Sequence, residues 1–190
     1  MDIYRLPYDR YFMNEPSDTD RVLYARVDDD TILVRIIGRG NHELSHTFKS
    51  LVDSANTDTT SVHYIIDLSQ CTCLDSTFMG TMAAMALHQT AVRGDRPVVV
   101  NANATTERQL TTLGLNYLLD VCHESTEVPA DNKEMKAVEG KCDIDQYERI
   151  THMIEAHETL IDADSGNEVK FRGVLDALNQ SLDNEEPSSA

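Results

Sequence analysis

Three groups of residues in this 190-residue chain have side chains whose types and spacing could do chemistry. The first is His42-Glu43-Leu44-Ser45-His46, a literal H-E-x-x-H. On a helix, two histidines four residues apart share a face and can bind zinc, with the glutamate as general base. A catalytic zinc of this kind needs a third protein ligand. The extended form H-E-x-x-H-x-x-G-x-x-H fails at once, because Lys49 and Val52 stand at its Gly and His positions. After Glu43 the next glutamate is Glu107, on a different predicted helix. A zinc hydrolase using His42, Glu43 and His46 is therefore the weakest of the functional alternatives, and neither a metal nor another cofactor is expected. The second group is Cys71-x-Cys73, which is not a zinc spacing. With Cys122 and Cys142 far away, both cysteines read as small apolar residues near a strand end. The third group is Leu74-Asp75-Ser76-Thr77, which sets a serine at the mouth of an apolar helix. A hydroxyl there can cap the helix by accepting a backbone N–H. It can also carry a phosphate, since the helix dipole favours an anion by ~0.3–1 kcal/mol. His152 and His157 read as polar or boundary residues, and Met79, Met82 and Met85 as core and rim packing. No phosphate-cradling glycine loop and no motif-anchored nucleophile–base pair is visible, so the chain reads as a non-enzyme.

These groups must be positioned by elements that the pattern of the chain makes plain. Residues 22–27 and 32–37 are two β-rich runs around Asp28-Asp29-Asp30-Thr31, a hairpin by composition and spacing. Asn41 is placed to cap a helix over 42–55, in which Leu44, Phe48, Leu51, Val52 and Ala55 recur at 3–4 residue spacing. Tyr64-Ile65-Ile66 is a short buried strand, and from Phe78 onward small and unbranched residues predict a helix that stops at Arg93-Gly94-Asp95. Residues 97–100 form a strand apolar on both faces. Asn103 predicts a helix running to Gly114, and 118–121 a last short strand or turn. Strand and helix alternate with short connections, which implies βαβ units and a parallel region in the sheet.

Residues 1–20, with four aromatics, Pro7 and Pro16, read as an arm. Residues 125–141 are a polar linker with room for a short helix. In 142–183, two apolar stripes at helical spacing predict an antiparallel helical hairpin, with Ser165-x-x-Glu168 as a capping box at its second helix. Residues 184–190 are a polar tail. The net charge of −17 excludes a nucleic acid or anionic membrane as main partner, because polyanion binding needs clustered Lys and Arg. No apolar run approaches the roughly 20 residues that span a bilayer, and the first residues do not follow a signal-peptide order. Together with the cysteine usage, this places the expected compartment in the cytoplasm.

The run Ile65-Ile66-Asp67-Leu68-Ser69-Gln70-Cys71-Thr72-Cys73-Leu74-Asp75-Ser76 resembles the central pattern of STAS domains, the family of anti-sigma factor antagonists and sulfate-transporter C-terminal domains. Val98-Val99-Val100-Asn101 through Gly114-Leu115 resembles its later strand, turn and helix pattern. The resemblance covers about residues 21–124. It implies an α/β fold, a mixed sheet with helices mainly on one face, here extended by the C-terminal α-helical hairpin. It also implies that Ser76 is a phosphoacceptor for a partner serine kinase that doubles as anti-sigma factor, with Asp75, Ser76, Thr77, Phe78, Met79 and Met82 forming the partner surface. Where the family has a Ser-Gly pair after the phosphoacceptor, this chain has Thr77-Phe78. The alternative is a scaffold that is never phosphorylated and acts, as a homodimer or assembly subunit, through the C-terminal helices.

Overall fold

The computed structural model describes residues 20–57, 60–124, 126–128, 135–138 and 144–185. The expected arm, most of the linker and most of the tail lie outside these residues. Within them, β1 (Arg21–Arg26) and β2 (Thr31–Gly40) form the predicted hairpin, antiparallel and in register from Arg21 opposite Ile37 to Arg26 opposite Ile32. There follow α1 (His42–Ala55), β3 (His63–Leu74), α2 (Ser76–Arg93), β4 (Val98–Val100), α3 (Ala104–Thr112) and β5 (Asp120–Val121). Strands β2 to β5 run parallel. The strand order is β5-β4-β3-β2-β1-β6, a mixed six-stranded sheet.

β6 (Lys136–Ala137) is a finding the composition did not announce. It lies within the expected linker, yet it pairs antiparallel with β1 and closes that edge of the sheet. A two-residue strand has no periodicity to read, so only the pairing reveals it. Next to it, Met135 packs with Leu23 and Leu33 on the face of the sheet that carries no helix among the described residues. The opposite face carries Ile32, Val34, Ile36, Tyr64, Ile66 and Leu68 under α1, α2 and α3. Both faces are thus covered, which is why β2 reads as an almost unbroken apolar run.

β3 is far longer than its apolar triplet. It continues through Asp67 to Leu74 because its polar positions are satisfied locally. Asp67 is fully buried, and Arg35 Nε donates to its carboxylate at 2.6 Å. Ser69 N–H and Asn101 Nδ2 both donate to its other oxygen at 3.0 Å. Burial pushes this carboxyl upward, but the hydrogen bonds from Asn101, Ser69 and Arg35 outweigh it and hold it below the ordinary range.

The C-terminal hairpin consists of α4 (Gln146–Ala163) and α5 (Glu168–Leu182), joined by a 3-10 turn. The capping box does not form. Glu168 begins α5 and pairs with Arg172, while Asp164 accepts the Gly166 N–H within the turn. Asn167 is fully buried instead, and its Nδ2 donates to Leu113 O and Leu160 O, which pins the hairpin's bend to the end of α3. α4 lies on α2, so α2 is packed between the sheet and the hairpin. A helix covered on two sides must be apolar nearly all round, as this one is. At the crossing, a Cβ on Gly80 would overlap the Ala156 carbonyl and lie 2.7 Å from Ala156 Cα. Only glycine lets the two backbones approach so closely. Among the described residues, no helix is long and apolar enough to cross a membrane.

Candidate functional site

The structure assigns the cap of α2 to Asp75 and thereby corrects the reading of Ser76 as a helix cap. Asp75 has extended backbone angles, φ −90° and ψ 171°, as an N-cap requires, and its Oδ1 accepts the Phe78 N–H at 2.8 Å. Burial pushes the Asp75 carboxyl above its ordinary range, against the Phe78 N–H and the His42 ring nearby. Ser76 is already inside the helix, half-buried, with its hydroxyl available to another partner.

That partner is His157 of α4, whose Nε2 lies 2.9 Å from Ser76 Oγ. The direction of the bond follows from valence. His157 Nδ1 lies 2.6 Å from Met153 O, and a carbonyl only accepts, so Nδ1 carries the hydrogen. Burial keeps the ring below its usual range, although the Met153 carbonyl and Asp75 both favour protonation. The neutral ring therefore presents its Nε2 lone pair, and Ser76 donates Oγ–H to it. Phe171 of α5 holds the imidazole edge-on, with centroids 4.8 Å apart. A hydroxyl donating to an imidazole can hand over its proton as the oxygen forms a new bond. Here Nδ1 rests on a main-chain carbonyl, where a hydrolase triad has a carboxylate.

Ser76 also lines a cleft of about 680 Å³ between α2, α3 and α5. Its wall includes Met79, Gln109 and Phe171, and its two charged lining residues are both cations, Arg108 and Lys170. Lys170 Nζ donates to Thr112 O at 2.7 Å and to Asn167 Oδ1 at 2.8 Å, both neutral acceptors. Arg108 makes no ion pair among the described residues.

The remaining expected partner-surface residues lie in the interior of this arrangement. Phe78 and Met82 are fully buried, Phe78 stacks on Phe48, and Thr77 and Met79 are buried beside them. Asp75 and Ser76 alone of the six are half-exposed.

The two histidines of the H-E-x-x-H pattern turn to different neighbours. His42 Nδ1 lies 3.9 Å from Asp75 Oδ2, while the His46 ring lies 3.9 Å from that of His152 on α4. Among the described residues, no three His, Cys, Asp or Glu side chains are grouped to hold a metal ion. His152 Nε2 approaches Ser45 Oγ at 2.9 Å and Thr81 Oγ1 at 3.2 Å. Both hydroxyls already donate to carbonyls of their own helices, Ser45 to His42 O and Thr81 to Thr77 O. His152 must therefore donate from Nε2, the reverse of His157. Burial, with the cations of Arg149 and Lys49 nearby, lowers His46 to about 4. Burial and His46 itself lower His152 to about 3.

His157, Arg108 and Lys170 were missed by sequence reasoning. His157 and His152, read from the sequence as polar or boundary residues, are both buried, because α4 turns their side of the helix onto α1, α2 and α5. The contact of His157 with Ser76, 81 residues away, was not visible in the sequence.

No protein-family model matches the chain, and no curated protein matches it. Among solved structures it is similar to a protein assigned as an anti-sigma factor antagonist from Thermotoga maritima, at 21% identity and a TM-score of 0.46, over 52% of this chain and 82% of that one. It is similar also to an anti-sigma factor antagonist from Mycobacterium paratuberculosis, at 19% identity and 0.45, over 59% and 92% of the two chains. A third is an uncharacterized protein from Shewanella loihica with a SpoIIAA-like fold, at 14% identity and 0.42, over 58% and 93%.

Proposed function

We propose that this chain is a non-enzymatic regulatory module of the STAS type, a cytoplasmic anti-sigma factor antagonist-like protein switched by phosphorylation of Ser76. A partner serine kinase supplies the phosphate, and the partner surface is the start of α2. The observation that carries this reading is the division of labour at Asp75-Ser76. Asp75 caps the helix, so the Ser76 hydroxyl is not needed as its cap and stands half-exposed at the positive end of α2. The Asp67-to-Ser76 sequence pattern supports the same reading. The hairpin adds a control, since α4 covers the α2 face that carries Ser76, Gly80 and Thr81. A partner that reads those residues must first displace it.

Intact-mass measurement on protein from its native cell, with peptide mapping across Ser76, tests the proposal. A substoichiometric phosphate on Ser76 is the expected result. Unmodified serine under several growth conditions would sink it and leave the unphosphorylated scaffold.

A further inference from the structure

We infer that the cleft between α2, α3 and α5 is the receiving site for the phosphate of phosphorylated Ser76, and that this phosphate locks the α4–α5 hairpin onto α2. The inference rests on the Ser76 reading above and adds what the modification does.

Four elements converge on this serine. α2 supplies Ser76, α3 supplies Arg108, α4 supplies His157, and α5 supplies Lys170. In a chain with 33 acidic and 16 basic residues, a cleft whose charged lining is cationic runs against the composition. Lys170 is moreover held by two neutral oxygens, so its charge is not neutralised by those contacts. A dianion placed on Ser76 Oγ would meet both cations without displacing an acidic side chain from the wall.

The proton balance points the same way. When Ser76 Oγ bonds to the terminal phosphorus of a nucleoside triphosphate held by the kinase, the bond from that phosphorus to the bridging oxygen breaks and the diphosphate leaves. The proton on Oγ goes to the kinase's base while α4 is displaced, and His157 Nε2 takes up a proton from solvent when the hairpin returns to face the phosphate. His157, with Nδ1–H on Met153 O, then becomes a two-sided donor, and its Nε2–H points at the arriving phosphate. The neutral O–H to N bond across α2 and α4 is replaced by a charge-assisted one, roughly twice as strong. Arg108 and Lys170 extend the contact to α3 and α5. The locked hairpin keeps the α2 face at Gly80 and Thr81 covered, so a phosphorylated chain would release its partner by concealment.

The full chain with phosphoserine installed at 76 during translation, which needs no kinase, tests this by amide hydrogen exchange. Phosphorylation is expected to slow exchange in α4 and α5 by about tenfold. In the Arg108→Gln, Lys170→Gln double variant, the phosphorylated and unmodified forms are expected to exchange at nearly the same rate. If that double variant does not fold, Arg108→Gln alone serves, since the side chain is exposed, and it is expected to retain only part of the slowing. Faster exchange on phosphorylation, or slowing of the same size in the variants, would overturn the inference. Absence of phosphate on Ser76 in the native cell would overturn the functional reading and leave this measurement unaffected.

Discussion

At the scale of single residues, two histidines of α4 do opposite things with the same atom. His157 accepts at Nε2 because its Nδ1 is committed to a carbonyl, and His152 donates at Nε2 because both hydroxyls facing it are themselves committed. His152 is also in ring contact with His46, whose Nε2 is buried without a hydrogen-bond partner. Protonating either ring buries a charge near Lys49, with Arg149 also close to His46, and protonating both sets like charges in ring contact. Both folded values lie below the ordinary 6.5. Between 6.5 and about 3–4 the unfolded chain therefore binds more protons than the folded one, and stability falls as the pH falls through that window. Urea unfolding should show it. Wild type is expected to lose on the order of 1–2 kcal/mol more than His46→Phe between pH 7 and pH 5. Parallel pH profiles for the two proteins would contradict the pairing.

At the scale of elements, the seam between α2 and α4 depends on Gly80. An alanine inside a helix normally stabilises it by ~0.5–1 kcal/mol relative to glycine. Gly80→Ala is expected to do the reverse, losing about 1–3 kcal/mol, because its methyl group must push Ala156 away. The loss should appear as faster hydrogen exchange in α4, with the sheet little affected. Gly94→Ala is the control. Gly94 ends α2 at φ +82° with nothing within 4 Å of its added carbon, so the roughly 1–2 kcal/mol cost there is purely backbone strain. A Gly80→Ala chain with unchanged α4 exchange would mean the close approach does not hold the hairpin.

At the scale of the whole molecule, the formal charge of −17 opposes the compact state through self-repulsion. Raising ionic strength from ~0.01 M to ~0.1 M shortens the screening length from about 30 Å to about 10 Å. The melting temperature is expected to rise by several degrees over that range. The Arg35–Asp67 pair is buried and little screened, so it should not offset the gain. A fall in melting temperature with salt would show that attractive surface pairs, such as Arg93 with Asp30, dominate instead.

The order of strands and helices, the hairpin at the start, the caps at Asn41 and Asn103 and the stop at Gly94 were legible in the chain. Each is set by local backbone preference and by apolar periodicity over a few residues. Ser76 stood out in the chain because a strand, a small polar turn and an apolar helix meet there in one short run, but the turn alone did not show that Asp75 is the cap. The sequence alone did not disclose that α2 would be covered on both sides, that Lys136–Ala137 would close the sheet edge, or that His157 would face Ser76. These are contacts between segments far apart in the chain. A stripe on a helix says that a face is buried but not against what. Only the docking of α4 on α2, permitted by the missing side chain at Gly80, decided that the serine would face an imidazole beside a cleft lined by two cations.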